Sequence, residues 1–342
     1  ISYDTQVPSV SSVARSGSGT LKSGQTDTVT FTFSESTSNF VVGDVTVSGG
    51  ALSSFAGSGS SYTATFTPTS GASGTASISV AAGVFTDAAG NDNTASSTLS
   101  ISYDTQVPSV SSVARSGSGT LKSGQTDTVT FTFSESTSNF VVGDVTVSGG
   151  ALSSFAGSGS SYTATFTPTS GASGTASISV AAGVFTDAAG NDNTASSTLS
   201  ISYDTQVPSV SSVARSGSGT LKSGQTDTVT FTFSESTSNF VVGDVTVSGG
   251  ALSSFAGSGS SYTATFTPTS GASGTASISV AAGVFTDAAG NDNTASSTLS
   301  ISYDTQVPSV SSVARSGSGT LKSGQTDTVT FTFSESTSNF VV

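Results

Sequence analysis

Polar and apolar residues alternate strictly in Thr28-Val29-Thr30-Phe31-Thr32-Phe33. β-Branched and aromatic residues at every second position are typical of a strand with one face in a core. The same alternation returns at 62–66, at 75–80 and at 98–103. No segment repeats its apolar residues with the period of a helix, and the glycine and serine content disfavours helix. The chain is therefore predicted to be all-β.

The sequence also repeats itself without a single change every 100 residues: the identical blocks are 1–100, 101–200 and 201–300, and 301–342 copies 1–42. A fixed period of this length indicates one folded module arranged in series. About 100 residues is a common size for one domain with its own core. We expect one domain in each of the repeats 1–103, 104–203 and 204–303, followed by a partial fourth repeat, 304–342, with strands A, B and the start of C.

Short strands separated by glycine-rich turns every 8–12 residues predict a β-sandwich in each repeat. The strands of the first repeat, A to G, are expected at 7–15, 27–34, 40–48, 51–56, 61–67, 75–86 and 95–103. The predicted core comprises Val29, Phe31, Phe33, Tyr62, Phe66, Ile78, Val80, Leu99 and Ile101.

Charge and composition exclude several classes of function. The chain has 8 Lys and Arg against 21 Asp and Glu, a net charge of −13, whereas nucleic-acid binding requires a basic surface. Cysteine and histidine are absent, so the usual general base, the thiol nucleophile and the ligands of a zinc site are missing. No apolar run is long enough to insert into a membrane. A pair of carboxylates such as glycosidases use could remain, but its recurrence in every repeat favours structure, and we expect no enzyme.

Four segments of each repeat carry a family resemblance. In the first repeat they are Asp4-Thr5-Gln6-Val7-Pro8, Val29-Thr30-Phe31-Thr32-Phe33-Ser34-Glu35, Tyr62-Thr63-Ala64-Thr65-Phe66-Thr67-Pro68 and Phe85-Thr86-Asp87-Ala88-Ala89-Gly90-Asn91. In this order they resemble the bacterial immunoglobulin-like repeats of giant biofilm-associated and type I-secreted adhesins, and are similar to the extender region of an ice-binding adhesin.

The resemblance implies tandem immunoglobulin-like β-sandwiches in an extended array, in an extracellular stalk on the cell surface. It also implies Ca²⁺ near the junctions between domains, and a stalk that projects adhesive domains for attachment to cells or biofilm.

Six acidic residues occur in each repeat, and strand order predicts where they lie. Strands that alternate in direction bring the start of A, the B–C turn and the F–G turn to one end of the sandwich. Asp4, Glu35, Asp87 and Asp92 should therefore converge there, whereas Asp27 should lie at the other end, facing the acidic cluster of the next repeat.

Clustered carboxylates without a nearby base favour a divalent cation, and Ca²⁺ takes six to eight oxygen ligands. The loop 87–93 taken alone is more typical of an Asx-rich turn with solvated acids; the convergence and the resemblance together favour Ca²⁺. The predicted ligands are Asp4, Glu35, Asp87, Asn91 and Asp92, with Asp104, Glu135, Asp187, Asn191 and Asp192 in the second repeat, and Asp204, Glu235, Asp287, Asn291 and Asp292 in the third.

Two other functions remain open from the sequence. The outward row Thr28, Thr30 and Thr32 could form a surface that binds ice, although threonine on a solvent-facing strand is ordinary β-propensity. A carbohydrate-binding surface is the other ligand-binding alternative, but it usually uses exposed aromatic residues, and the chain has no Trp. Identical repeats could also self-associate between arrays. The expected partners are thus neighbouring repeats of the same chain and identical arrays, without nucleic acid and without membrane insertion in this segment.

Overall fold

The computed structural model describes residues 1–341, in which every complete repeat forms two packed sheets. Their strands pair antiparallel, apart from a short parallel pairing that joins Leu21 to Tyr103 in the first repeat and Leu221 to Tyr303 in the third. The strands of the first repeat are β1 (Val10–Arg15), β2 (Asp27–Thr37), β3 (Val45–Ser48), β4 (Gly50–Pro68), β5 (Ser73–Val80) and β6 (Leu99–Asp104). A one-turn 3₁₀ helix, Val42–Asp44, precedes β3, and its first turn is closed by the Asp44 carboxylate, which accepts the Val41 N–H at 2.8 Å.

The other repeats follow the same plan. The strands of the second repeat are β7 (Val110–Arg115), β8 (Leu121–Lys122), β9 (Asp127–Thr137), β10 (Val145–Ser148), β11 (Gly150–Pro168), β12 (Ser173–Val180) and β13 (Leu199–Asp204). Those of the third are β14 (Val210–Arg215), β15 (Leu221–Lys222), β16 (Asp227–Thr237), β17 (Val245–Ser248), β18 (Gly250–Pro268), β19 (Ser273–Val280) and β20 (Leu299–Asp304). Their 3₁₀ helices are Val142–Asp144 and Val242–Asp244, and the partial repeat contains β21 (Val310–Arg315) and β22 (Val329–Phe333).

The sheet order identifies the sandwich as immunoglobulin-like. One sheet of the first repeat has the order β1-β2-β4 and the other β3-β5-β6. The second half of β4 pairs with β2, with Tyr62 opposite Phe31. Its first half folds back on the second, where Ser53 Oγ donates to the Thr65 carbonyl oxygen, so the predicted fourth strand and strand E are the two arms of one hairpin. This yields the four-plus-three strand arrangement of an immunoglobulin-like domain.

Burial follows the predicted alternation. All the predicted core residues are buried except Leu99, which is partly buried and packs against the core. Two phenylalanines outside the predicted core are also buried: Phe40, after the B–C turn, and Phe85, beyond the end of β5. Both rings contact Phe33, with centroids at 4.8 Å in each case. Aromatic packing thus extends the core to the end of the sandwich where the acidic residues converge.

Strands F and G are shorter than predicted, because the segment 81–93 forms an ordered loop. β5 ends at Val80 and β6 begins at Leu99. The buried Asn93 side chain holds the loop: its Oδ1 accepts the Val84 and Phe85 N–H groups at 2.8 and 3.0 Å, and its Nδ2 donates to the Ala81 carbonyl oxygen. One amide thereby replaces the ladder bonds that a longer strand would have made.

The partial fourth repeat shows what its missing half contributes. β21 and β22 pair with the register of β1 and β2, but Val313 and Phe331 are 59% and 38% exposed, against 8% and 0% for Val13 and Phe31. In the first repeat one core extends from Val13 to Tyr103. The core of the first repeat is therefore assembled by the strands from β1 to β6 together.

The chain divides into two compact units. The first comprises 1–121, 125–169 and 174–203, and the second comprises 122–124, 170–173 and the residues from 204 onwards.

One serine in each complete repeat adopts a left-handed backbone conformation. Ser54, Ser154 and Ser254 have φ values of 49°, 50° and 50°. A side chain in this region costs roughly 1–2 kcal/mol, and glycine avoids the clash.

Replacing these three serines by glycine should therefore raise the free energy of unfolding, by about 0.5–1 kcal/mol per repeat after the extra entropy of the unfolded chain is subtracted. The measurement is the midpoint of urea denaturation of the full chain. The matched control replaces the preceding residues, Ser53, Ser153 and Ser253, by glycine; these lie outside the left-handed region, so the midpoint should fall. A lower midpoint for Ser54→Gly, Ser154→Gly, Ser254→Gly would contradict the prediction.

Candidate metal centre

Three carboxylates come together at one end of each complete repeat. In the first repeat they belong to Asp4, Glu35 and Asp87, each with one oxygen within 4.8 Å of the others. The equivalent groups, which we call the acidic triads, are Asp104, Glu135 and Asp187 in the second repeat and Asp204, Glu235 and Asp287 in the third. Three of the four acidic residues that strand order predicts at this end of the sandwich therefore do lie close together.

The residues of one triad are held by two consecutive sandwiches. Asp104 is the last residue of β6, where it lies opposite Ser73 of the first sandwich. Glu135 lies in β9 of the second sandwich, and Asp187 lies in the loop after β12, which is equivalent to the ordered loop 81–93 of the first repeat. The next residue, Thr105, is buried against the first sandwich: its Oγ1 donates to the Thr69 carbonyl oxygen at 2.6 Å. The first repeat therefore fixes the position of a carboxylate that serves the second.

Local hydrogen bonds hold the third carboxylate in its ionised form. Asp87 is 6% exposed, and its Oδ1 accepts the N–H groups of Ala89 and Asn91, both at 2.9 Å. Its Oδ2 accepts the Asn91 Nδ2–H at 2.8 Å. The Asn91 side chain above all, helped by the backbone N–H groups, lowers the pKa of Asp87. A charged carboxylate in this loop is thus stabilised before any cation is considered.

The glutamate of each triad lies in a less favourable environment. Oε1 of Glu35, Glu135 and Glu235 is inaccessible to solvent and has no hydrogen-bond partner within the described residues. Partial burial, followed by repulsion from Asp187 and Asp104, raises the pKa of Glu135 above its ordinary value, and the same causes act on Glu35 and Glu235. An unpaired buried carboxylate oxygen is costly, and a cation bound among the three oxygens would remove that cost. The acidic triads could therefore hold a metal ion.

The other predicted ligands have different surroundings. Asp92, Asp192 and Asp292 are exposed and do not belong to the acidic triads among the described residues. Asn191 is buried, and its Nδ2 donates to the Asp187 carboxylate at 2.7 Å and to the Asp104 carbonyl oxygen at 2.9 Å. Asn291 makes the same two bonds, with Asp287 and Asp204. The asparagine thus positions the aspartate of its triad.

The expectation that Asp27 faces the acidic cluster of the next repeat is wrong. Asp27 is buried within its own repeat, where Oδ1 accepts the Ser16 hydroxyl at 2.7 Å and the Gly17 N–H at 2.9 Å. Arg15 Nε lies 2.7 Å from Oδ2, although its N–H is not directed at that oxygen. A Cβ at position 17 would lie 2.9 Å from the same carboxylate and would force it to shift, so glycine lets the carboxylate approach the backbone here. This pair is visible only once β1 and β2 are placed side by side.

Comparison with known families decides the nature of the repeat. A family model described as the bacterial Ig-like domain matches residues 4–103, 104–203 and 204–303. The chain belongs to this bacterial Ig-like family. The match covers the three complete repeats, and each begins at the aspartate that opens an acidic triad.

Solved structures of tandem Ig arrays are similar to this bacterial Ig-like chain. The titin I-band fragment I67–I69 is 12% identical, with 89% of this chain and 98% of that chain covered and a TM-score of 0.42. InvD of Yersinia pseudotuberculosis is 18% identical, with 84% and 98% covered and a TM-score of 0.29. The ectodomain of mouse nectin-like molecule 4 is 11% identical, with 83% and 96% covered and a TM-score of 0.33. A comparison with curated proteins finds no significant match.

The buried Arg–Asp pair predicts acid sensitivity. Burial alone would raise the pKa of Asp127, but the hydrogen bonds from Ser116 and Gly117 and the charge of Arg115 outweigh it and lower the pKa below 3.8. The carboxylate therefore contributes stability that is complete above pH 3.8 and is lost as the pH falls through the lower pKa of the folded state.

Asp127→Asn should reduce the free energy of unfolding of the second repeat at neutral pH by about 1.5–3 kcal/mol, since the buried carboxylate loses the charge that strengthens its bonds from Ser116 and Gly117 and its pairing with Arg115. The difference from the unmodified chain should shrink as the pH is lowered below 3.8. Denaturation followed between neutral pH and strongly acidic pH measures both effects. The exposed Asp192→Asn is the control, and a difference that stays constant with pH would refute the linkage.

Proposed function

We propose that this bacterial Ig-like chain is a segment of an extracellular stalk, a spacer that projects adhesive domains from the cell surface, and that Ca²⁺ bound at the acidic triads stiffens its junctions. The observation that carries the proposal is the composition of each internal triad. Asp104 is held by the first sandwich, whereas Glu135 and Asp187 are held by the second. A cation bound by all three would restrain the two domains against each other.

The donor set favours Ca²⁺ over other ions. All three ligands are carboxylates, and hard oxygen donors are preferred by Ca²⁺ and Mg²⁺. Ca²⁺ accepts six to eight oxygens in irregular arrangements, whereas Mg²⁺ demands near-octahedral geometry. Zinc sites of proteins are built mainly from cysteine and histidine, and this chain has neither.

Repetition supports a structural role rather than catalysis or selective recognition. Every complete repeat has the same sequence and the same triad, so the function increases with repeat number and does not reside at one site. The residues described contain no helix long and apolar enough to cross a membrane. The partners that fit this role are neighbouring repeats of the same chain and the attached adhesive domains; the strongly acidic surface disfavours nucleic acid.

Calcium binding is tested by titration calorimetry and thermal unfolding of the full chain after removal of divalent ions. Saturating Ca²⁺ at about 100 times its Kd should stabilise an occupied repeat by about 2.7 kcal/mol. The variant Glu35→Gln, Glu135→Gln, Glu235→Gln should lose the heat of binding and this stabilisation. No heat and no thermal shift for the unmodified chain would refute the calcium proposal.

The same variant should behave oppositely in chelator. A carboxylate whose pKa is raised by folding destabilises the folded state when it is ionised, so glutamine in its place should leave the calcium-free chain equally or more stable at neutral pH. The matched control removes one carboxylate outside each triad by Asp92→Asn, Asp192→Asn, Asp292→Asn. If the control loses calcium binding as completely as the glutamate variant, the ion is not held by the triads alone.

A further inference from the structure

A second contact joins consecutive repeats, and its hydrogen bonds are accepted by carbonyl and amide oxygens, without a carboxylate acceptor. Lys22 Nζ of the first repeat donates to the Gly190 carbonyl oxygen of the second at 2.9 Å, and the Ser23 N–H donates to Asn191 Oδ1 at 2.7 Å. Lys122 and Ser123 make the same bonds, of the same lengths, with Gly290 and Asn291. We call residues 22–25 and their equivalents the docking turn, and residues 87–93 and their equivalents the acceptor loop.

The docking turn has its shape with or without a partner. Its two ends are closed by Gln25, whose N–H donates to the Lys22 carbonyl oxygen and whose Oε1 accepts the Lys22 N–H, both at 3.0 Å. The partial fourth repeat has no acceptor loop after it in this chain, yet Gln325 and Lys322 make the same two bonds, at 3.0 and 2.9 Å. The donor groups are thus presented before docking.

The acceptor loop is preformed as well. In the first repeat, whose acceptor loop has no docking turn bonded to it among the described residues, Asn91 already bonds to both oxygens of Asp87. Preformed surfaces lose little conformational entropy on association. Docking therefore adds bonds without requiring either side to reorganise.

The burial of the asparagine and the lysine depends on whether the two halves meet. Asn91 is half-buried, whereas Asn191 and Asn291 are 3% and 2% exposed. Lys22 and Lys122, each followed by an acceptor loop, are half-buried, whereas Lys222 and Lys322 are exposed. The identical residues of the same chain thus provide undocked references for the docked ones.

We propose that the docking turn and the acceptor loop form an ion-independent lock that fixes each repeat on the next, and that its partner is another copy of this repeat. The acceptor loop offers two oxygens, a glycine carbonyl and an asparagine amide, spaced for one ammonium and one backbone N–H. A neighbouring domain without a lysine followed by a free N–H at this turn leaves both oxygens without their donors. The lock thereby favours a like repeat over an unlike one, a role beyond that of the ion-binding triad.

The test measures the orientation of two repeats in the full chain without divalent ions. Because the chain contains no cysteine, Ser60→Cys and Ser160→Cys place spin labels at two exposed positions of the first and second repeats. Pulsed electron paramagnetic resonance in chelator should give a narrow distance distribution for the otherwise unmodified chain. Lys22→Met and Asn191→Ala should each broaden it, since each removes a bond across the junction.

Two matched controls separate the lock from general damage. Lys322→Met removes the same ammonium from an undocked turn, and Asn91→Ala removes the same bonds to aspartate from an undocked loop; both should leave the distribution narrow. A broad distribution in the unmodified chain in chelator, or no change with Lys22→Met and Asn191→Ala, would overturn the proposal. Failure of calcium binding is detected by the calorimetric titration and leaves these measurements in chelator unaffected, so the two proposals can fail separately.

Discussion

The backbone of Asp104 continues the ladder of one sandwich, opposite Ser73, while its carboxylate lies beside Glu135 and Asp187 of the next. A strand that ended two residues earlier would leave Asp104 on a free linker, and the triad would then belong to one domain. Thr105 prevents this, because its buried hydroxyl is bonded to the turn after β4 in the first repeat. The junction therefore starts from a residue whose position is fixed by the core of the preceding domain.

Charge balance explains why this end of the sandwich requires a counter-ion. The repeat has one arginine and one lysine. Arg15 forms an ion pair with the buried Asp27, and Lys22 donates a hydrogen bond to a carbonyl group of the next repeat. Across residues 1–341 the ion pairs all join this arginine to this aspartate in one repeat or another. Neither side chain neutralises the triad, so three carboxylates remain to be balanced by solvent ions or by a bound cation.

Local pattern was sufficient for the strands and for part of the site. Alternation in 28–33 predicted which residues of β2 are buried, and strand order alone predicted that Asp4, Glu35 and Asp87 meet. What failed depended on contacts between distant residues. Phe85 lies in a segment whose pattern predicts the end of a strand, and only the tertiary hydrogen bonds of Asn93 turn it into a loop. Asp27 reads as a surface acid until β1 brings Arg15 beside it.

The contact between the docking turn and the acceptor loop could not be predicted from the sequence of one repeat, because its two halves lie in different domains. Lys22 and Asn191 are 169 positions apart in the sequence. Within a single domain, the hydrogen bonds described for Lys22 and for Asn91 do not join these two residues to each other, so one repeat gives no sign that they pair. The docking turn of each domain complements the acceptor loop of an identical copy, so every repeat carries both halves of the joint. Because both halves are preformed, adding or removing one whole repeat preserves the geometry of every remaining junction. A substitution at position 22 or 91 of the repeat would have to be tolerated by the neighbouring domain as well as by the domain that carries it. The exact sequence repeat therefore preserves the junctions as well as the fold.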